Sequence, residues 1–116
     1  MSCNLLLVED HALSRRSLAR ALELAAHTVY EAENGEAAVD LLARWPFKVV
    51  ISDLRLPGKI NGLDVLRQQK EISPGTRLIL ITAFGSARTQ TEAAALGAVY
   101  IEKPFSLQEV LSSITM

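Results

Sequence analysis

Phe47-Lys48-Val49-Val50-Ile51-Ser52-Asp53-Leu54-Arg55-Leu56-Pro57-Gly58 runs from an apolar segment into one carboxylate and then into a turn. A strand that apolar is covered on both faces, as in a parallel sheet. Asp53 then surfaces where the strand ends, at the rim of that sheet. Three more apolar runs end in the same way. Leu5-Leu6-Leu7-Val8 delivers Glu9-Asp10, Leu78-Ile79-Leu80-Ile81 delivers Thr82, and Val99-Tyr100-Ile101 delivers Glu102-Lys103-Pro104. Carboxylates, a hydroxyl and an ammonium are thereby expected along one sheet edge, a grouping suited to metal binding and phosphoryl transfer.

Between these runs the hydrophobic period switches from continuous to helical. Helices are expected over Ala12 to about Ala26, Glu36–Arg44, Gly62–Ile72 and Arg88–Leu96, with a last one opening at Ser106. Thr28–Ala32 makes a further short strand, and the other strands span Leu5–Val8, Phe47–Ser52, Arg77–Ile81 and Val99–Ile101. Asn34 suits an N-cap, Gly97 a C-terminal stop, and Ser106-Leu107-Gln108-Glu109 a capping box. Ser73-Pro74-Gly75 terminates the third helix. The inward faces predicted are Leu18, Leu22 and Ala25; Ala38, Leu41, Leu42 and Trp45; and Leu107, Val110, Leu111 and Ile114. Alternating strands and helices predict an α/β, doubly wound, five-stranded parallel sheet of order 2-1-3-4-5, with helices on both faces. Strands one and three are then neighbours at the point where the chain reverses direction. Ligands of such sheets bind there, beyond the carboxyl ends. Glu9-Asp10 and Asp53 flank that crevice.

At 116 residues the chain forms one domain, 1–116. Its residues are 49% apolar and only 5% aromatic, so the core is aliphatic. A net charge of −1 supplies no field for nucleic acid or an anionic membrane. The apolar runs fall far short of the roughly 20 residues of a membrane span, and Met1-Ser2-Cys3-Asn4 starts no signal peptide. The lone cysteine, Cys3, is expected beside the first strand and fits a reducing cytoplasm.

Glu9, Asp10 and Asp53 crowd three negative charges, which raises at least one pKa unless a cation intervenes. Mg²⁺ suits carboxylate, carbonyl and water ligands. Acids after the first strand could equally cap the following helix; their coincidence with Asp53 on the facing strand favours the metal. Lys103, ahead of a proline whose peptide bond can be cis, would balance a phosphoryl group on Asp53, and Thr82 would donate to one of its oxygens. Asp53 would be the nucleophile that forms an acyl phosphate, and the added charge could bias a loop. His11 is expected to start the first helix in solvent, and His27 carries no assigned role.

With Glu9-Asp10, Asp53, Thr82-Ala83 and Lys103-Pro104-Phe105 in this order, essentially the whole chain resembles the receiver domain of a two-component response regulator. The resemblance implies a phosphoacceptor that catalyses its own phosphotransfer and dephosphorylation, served by a sensor histidine kinase. It implies Mg²⁺ on Asp10, Asp53 and the Arg55 backbone carbonyl, with Glu9 assisting directly or through water. Lys103 and Thr82 would contact the phosphoryl group. Tyr100 matches the family's switch aromatic, whose ring turns inward as Thr82 moves. Output would pass through the face of the fourth helix, fifth strand and fifth helix, by homodimerisation or target binding. Ile81-Thr82-Ala83-Phe84-Gly85-Ser86 resembles receivers of enhancer-binding transcription activators, so the output domain is expected to be absent or removed. One departure stands out: the family places its turn glycine one residue closer to the acceptor than Gly62 lies to Asp53. A bulged loop over 57–61 is therefore expected.

Three other readings compete. A dehalogenase-type aspartyl-phosphate phosphatase needs a general acid two positions after its nucleophile, where Arg55 stands and cannot serve. A flavodoxin-like FMN binder needs a Ser/Thr/Gly-rich loop where Glu9-Asp10-His11 would repel phosphate. A degenerate receiver, acting only as an interaction module, would have lost key residues, and here every one is present.

Overall fold

The computed structural model describes residues 4–115. Its elements are β1 (Asn4–Val8), α1 (Ala12–Leu24), β2 (Thr28–Ala32), α2 (Gly35–Arg44), β3 (Val49–Asp53), α3 (Gly62–Ile72), β4 (Arg77–Thr82), α4 (Ala87–Ala95), β5 (Val99–Glu102) and α5 (Leu107–Thr115). The strands form one parallel sheet of order β2-β1-β3-β4-β5. This is the expected architecture.

Side chains alternate across the strands and split the core in two. Leu6, Val8, Val50, Leu78 and Leu80 face α2, α3 and α4 through Ala38, Leu42, Leu63, Leu66 and Ala93. Leu5, Leu7, Val49, Ile51, Ile79, Ile81 and Ile101 face α1 and α5 through Ala19, Leu22, Val110 and Ile114. Burial on both sides is why the strands are apolar throughout rather than alternating.

Helix starts are set by side chains that accept from otherwise unpaired N–H groups. Asn34 Oδ1 accepts from Ala37 N–H at 2.7 Å, and Ser86 Oγ from Thr89 N–H at 3.1 Å. Capping boxes form at Ser106/Glu109, as expected, and at Asn61/Asp64, which the sequence reading passed over. Gly97 ends α4's turn at φ 74°.

Several inward assignments need correction. Helix α1 stops at Leu24, because Ala26 turns to φ 74° and His27 N–H returns to Leu22 O, so Ala25 is left exposed. Trp45 lies past the end of α2 and is half exposed, its ring tilted against Tyr30 at 5.6 Å. Leu107, in the first turn of α5, is exposed as well. Phe47 is buried but precedes β3, which instead extends to Asp53. His27 is buried. Cys3 lies outside the described residues.

Candidate functional site

Register brings the chemistry together. Leu5–Val8 pairs with Val49–Ser52, so Glu9 and Asp53 emerge side by side from β1 and β3. Asp53 pairs with Ile81 and Thr82 with Glu102, which puts the ends of β4 and β5 in the same row. Ligand atoms of Glu9, Asp10 and Asp53 lie within 4.8 Å of one another. Asp10 is exposed, whereas Glu9 is buried and Asp53 half-buried. The Lys103–Pro104 peptide bond is cis, and Lys103 Nζ donates to Asp53 Oδ2 at 2.8 Å and to Glu9 Oε1 at 2.9 Å.

Electrostatics follow from that geometry. Burial pushes the Asp53 carboxyl up; the hydrogen bond and charge of Lys103 pull against this, while the charge of Glu9 adds to it, and the net direction is upward. Burial also pushes Glu9 up, but the His11 N–H on its Oε2 (3.0 Å) and the Lys103 ammonium outweigh it, so Glu9 sits below its ordinary value. Lys103 is pushed down by burial and raised further by hydrogen bonds to both acids, so it stays charged. One ammonium thus serves both carboxylates.

Thr82 is fully buried at the tip of β4, and its Oγ1 accepts from Phe84 N–H at 3.0 Å. Among the described residues it makes no hydrogen bond to Asp53. Tyr100 packs on the α2–α3–α4 side of the core, with a buried hydroxyl that has no partner among the described residues. After Asp53 the chain closes tightly: Gly62 N–H donates to Leu54 O at 2.9 Å, and a Cβ on Gly62 would run into the Asp53 backbone carbonyl. The intervening loop, the one expected to bulge, passes through Gly58 at φ 91° and is held by Lys59 N–H donating to Glu36 Oε2 at 3.2 Å.

Several participants had no local signature. Arg15 donates to Glu9 O at 3.0 Å and to Glu31 at 3.1 Å, fixing the acid's backbone from α1. The Arg55 guanidinium lies 4.3 Å from the centre of the Phe84 ring, linking the loops after β3 and β4. His11 caps α1 through Nδ1, which accepts from Ser14 N–H at 3.3 Å. Beside the acids, a cleft of about 480 Å³ is lined by Leu7, Leu18, Ile51, Ile81 and Phe105, with Arg15 and Lys103 at polar positions.

The family model for the response regulator receiver domain matches residues 5–115. The chain belongs to that family. It is 35% identical over 115 residues to the response regulator protein FleR of Pseudomonas aeruginosa, covering 98% of this chain but 24% of FleR. The response regulator receiver protein CpdR of Brucella abortus is 32% identical, with 95% of this chain and 92% of CpdR covered. The chain thus spans about a quarter of one relative and nearly all of the other. A response regulator crystal structure from Burkholderia pseudomallei, holding a phosphorylated aspartic acid, a calcium ion and citrate, superposes with a TM-score of 0.89 at 27% identity, over 97% of this chain and 66% of that one. The non-phosphorylated HemR receiver domain of Leptospira biflexa gives 0.88 at 30% identity, over 97% and 94%.

Receiver domains of response regulators interact with histidine kinases and bind a divalent metal through an acidic pocket. The residues here fit such an ion. Three converging carboxylates are hard oxygen donors, and the pocket already draws a cation, the Lys103 ammonium, between two of them. Among the described residues no helix is long and apolar enough to cross a membrane.

Proposed function

We propose that this receiver is the phospho-accepting switch of a two-component phosphorelay and that Asp53 is its acceptor. The observation that carries this reading is the pairing of Asp53 with Lys103 inside a three-carboxylate cluster at the carboxyl ends of the central strands.

An Asp53 carboxylate oxygen attacks the phosphorus of a kinase phosphohistidine. The O–P bond forms as the P–N bond breaks, and the imidazole leaves with the electron pair and takes up a proton. Asp10, Asp53 and the Arg55 carbonyl, with help from Glu9, would hold Mg²⁺, which would supply positive charge against the phosphoryl oxygens. Lys103 keeps one phosphoryl oxygen neutralised from the β5 side. Thr82, whose Oγ1 accepts from Phe84 N–H, has its own proton free to donate to another oxygen. The side chain changes from one negative charge to nearly two, with three strong acceptors.

That change draws Thr82 toward the acceptor and is read by Tyr100. The output is an altered surface on α4, β5 and α5, used for homodimerisation or target binding, and control of transcription is the output we favour. The domain works in the cytoplasm, contacts neither nucleic acid nor membrane itself, and turns over only its own phosphoryl group.

Intact mass after incubation with Mg²⁺ and acetyl phosphate tests this directly. A single acid-stable, base-labile adduct, absent from Asp53→Asn and from metal-free samples, is the expected result. No adduct together with no Mg²⁺ binding would identify an interaction module instead.

A further inference from the structure

Gly85 lies in the exposed loop between β4 and α4, where backbone conformation does not explain a glycine. Its φ is outside the left-handed region, and the residue itself is exposed. What singles it out is the space above it. A Cβ built on Gly85 would land on the Tyr100 hydroxyl oxygen, 2.8 Å from the ring carbon Cζ and 3.5 Å from the Thr82 methyl. The Tyr100 hydroxyl is buried and has no hydrogen-bond partner among the described residues, so no polar contact draws it there.

We propose that Gly85 is the steric gate of Tyr100: the missing side chain at this one position leaves the room that the tyrosine ring occupies when it lies inward. This rests on Tyr100 acting as the switch aromatic. The clash partner is the distal end of a ring that pivots about χ1, so the ring can leave, whereas the loop backbone is held in place. Phe84 N–H donates to Thr82 Oγ1, and Ser86 caps α4 on Thr89 N–H. Gly85 is therefore carried between the residue that senses the phosphoryl group and the helix that reports it. A shift of Thr82 reaches the space over the Tyr100 hydroxyl through Phe84, whose N–H donates to Thr82 Oγ1. Even a methyl group at position 85 would close the inward position and hold the ring outward, leaving the phosphorylation chemistry at Asp53 in place but disconnecting it from the α4–β5–α5 face.

The chain has two tyrosines. In a Tyr30→Phe background, biosynthetic 3-fluorotyrosine therefore reports Tyr100 alone. The measurement is the broadening of its ¹⁹F signal by a soluble paramagnetic agent, without phosphodonor or metal, so the result does not depend on whether Asp53 accepts a phosphoryl group. Gly85→Ala is expected to shift the signal and raise its broadening several-fold while the far-ultraviolet circular dichroism stays unchanged. Equal protection of the fluorine in both proteins would overturn the gate. Should Gly85→Ala fail to fold, Tyr100→Ala decides: Gly85→Ala in that background is expected to melt like Tyr100→Ala alone, because the clash partner is gone. A loss of folding that persists there would show that position 85 needs glycine for another reason and would sink the proposal.

Discussion

Lys103 Nζ lies 2.8 Å from Asp53 Oδ2 and also holds Glu9, so the two acids share one positive charge and end up on opposite sides of their ordinary pKa values. The consequences for stability have opposite signs. Asp53, raised above its unfolded value of roughly 3.9, favours the fold when protonated; that contribution fades as pH rises through the folded pKa, and at neutral pH its ionised form costs stability. Asp53→Asn is therefore expected to melt higher than the parent in metal-free buffer at pH 7, with the gap narrowing in acid. Glu9, lowered from its unfolded value of roughly 4.3, contributes stability above that pH and loses it as pH falls through the folded pKa. Glu9→Gln is expected to melt lower than the parent at pH 7. Thermal scans with EDTA between pH 3 and 7 check both; a destabilised Asp53→Asn at neutral pH would contradict the charge balance described above.

The same ammonium occupies the mouth of the acidic cluster and must compete with any divalent ion. Lys103→Met leaves Glu9 and Asp53 buried without their counter-charge, so the metal-free variant is expected to lose on the order of 1–3 kcal/mol. Mg²⁺ should then stabilise it more than it stabilises the parent, since ligand binding to the folded state adds stability by mass action. The comparison is the rise in melting temperature between EDTA and saturating Mg²⁺ for the two proteins. An equal rise would mean that the ion and Lys103 do not share this charge.

Most of the fold could be read in the chain because both faces of the sheet are covered. Runs such as Leu5–Val8 and Leu78–Ile81 admit no reading but a buried strand, and once strand order follows, Glu9, Asp10, Asp53, Thr82 and Lys103 have to converge. Failures fell at helix ends. Trp45 and Leu107 keep the spacing of an inward face, yet the helix has stopped at Arg44 in one case and barely begun in the other. The site contacts that escaped reading all cross between elements. Arg15 on Glu9, Arg55 on Phe84 and Gly85 on Tyr100 each depend on side-chain direction in space, for which spacing along one segment carries no signal.

Asn34 shows how a cap can matter beyond its own helix. Its Oδ1 accepts from Ala37 N–H at 2.7 Å and starts α2, whose next residues include Glu36, the partner of Lys59 in the loop after Asp53. Asn34→Ala is expected to cost about 1 kcal/mol in urea unfolding. Fraying of the first turn should also free the loop. Amide exchange at Lys59 should then quicken more than amide exchange in β5, at the edge of the sheet opposite β2. Equal changes at both places would reduce the cap to a purely global effect.

Tyr100 offers the last test, because its hydroxyl is buried without a partner among the described residues while the ring packs on the core. Burying a hydroxyl without a hydrogen bond costs about 1–3 kcal/mol relative to an apolar surface of the same shape. Tyr100→Phe keeps the ring and removes the cost, so the unphosphorylated protein is expected to gain on the order of 1 kcal/mol, or roughly 4 °C in melting temperature for a domain of this size. The gain has a functional counterpart. Outward, the hydroxyl is solvated and costs nothing; inward, it opposes the ring's own packing. Removing it biases the ring inward, and α4, β5 and α5 should adopt more of their phosphorylated arrangement without phosphate. Melting temperature and self-association measured together on Tyr100→Phe separate the possibilities. A variant that melts lower than the parent would mean that the hydroxyl has a partner in solution and that its burial carries no penalty for the switch to exploit.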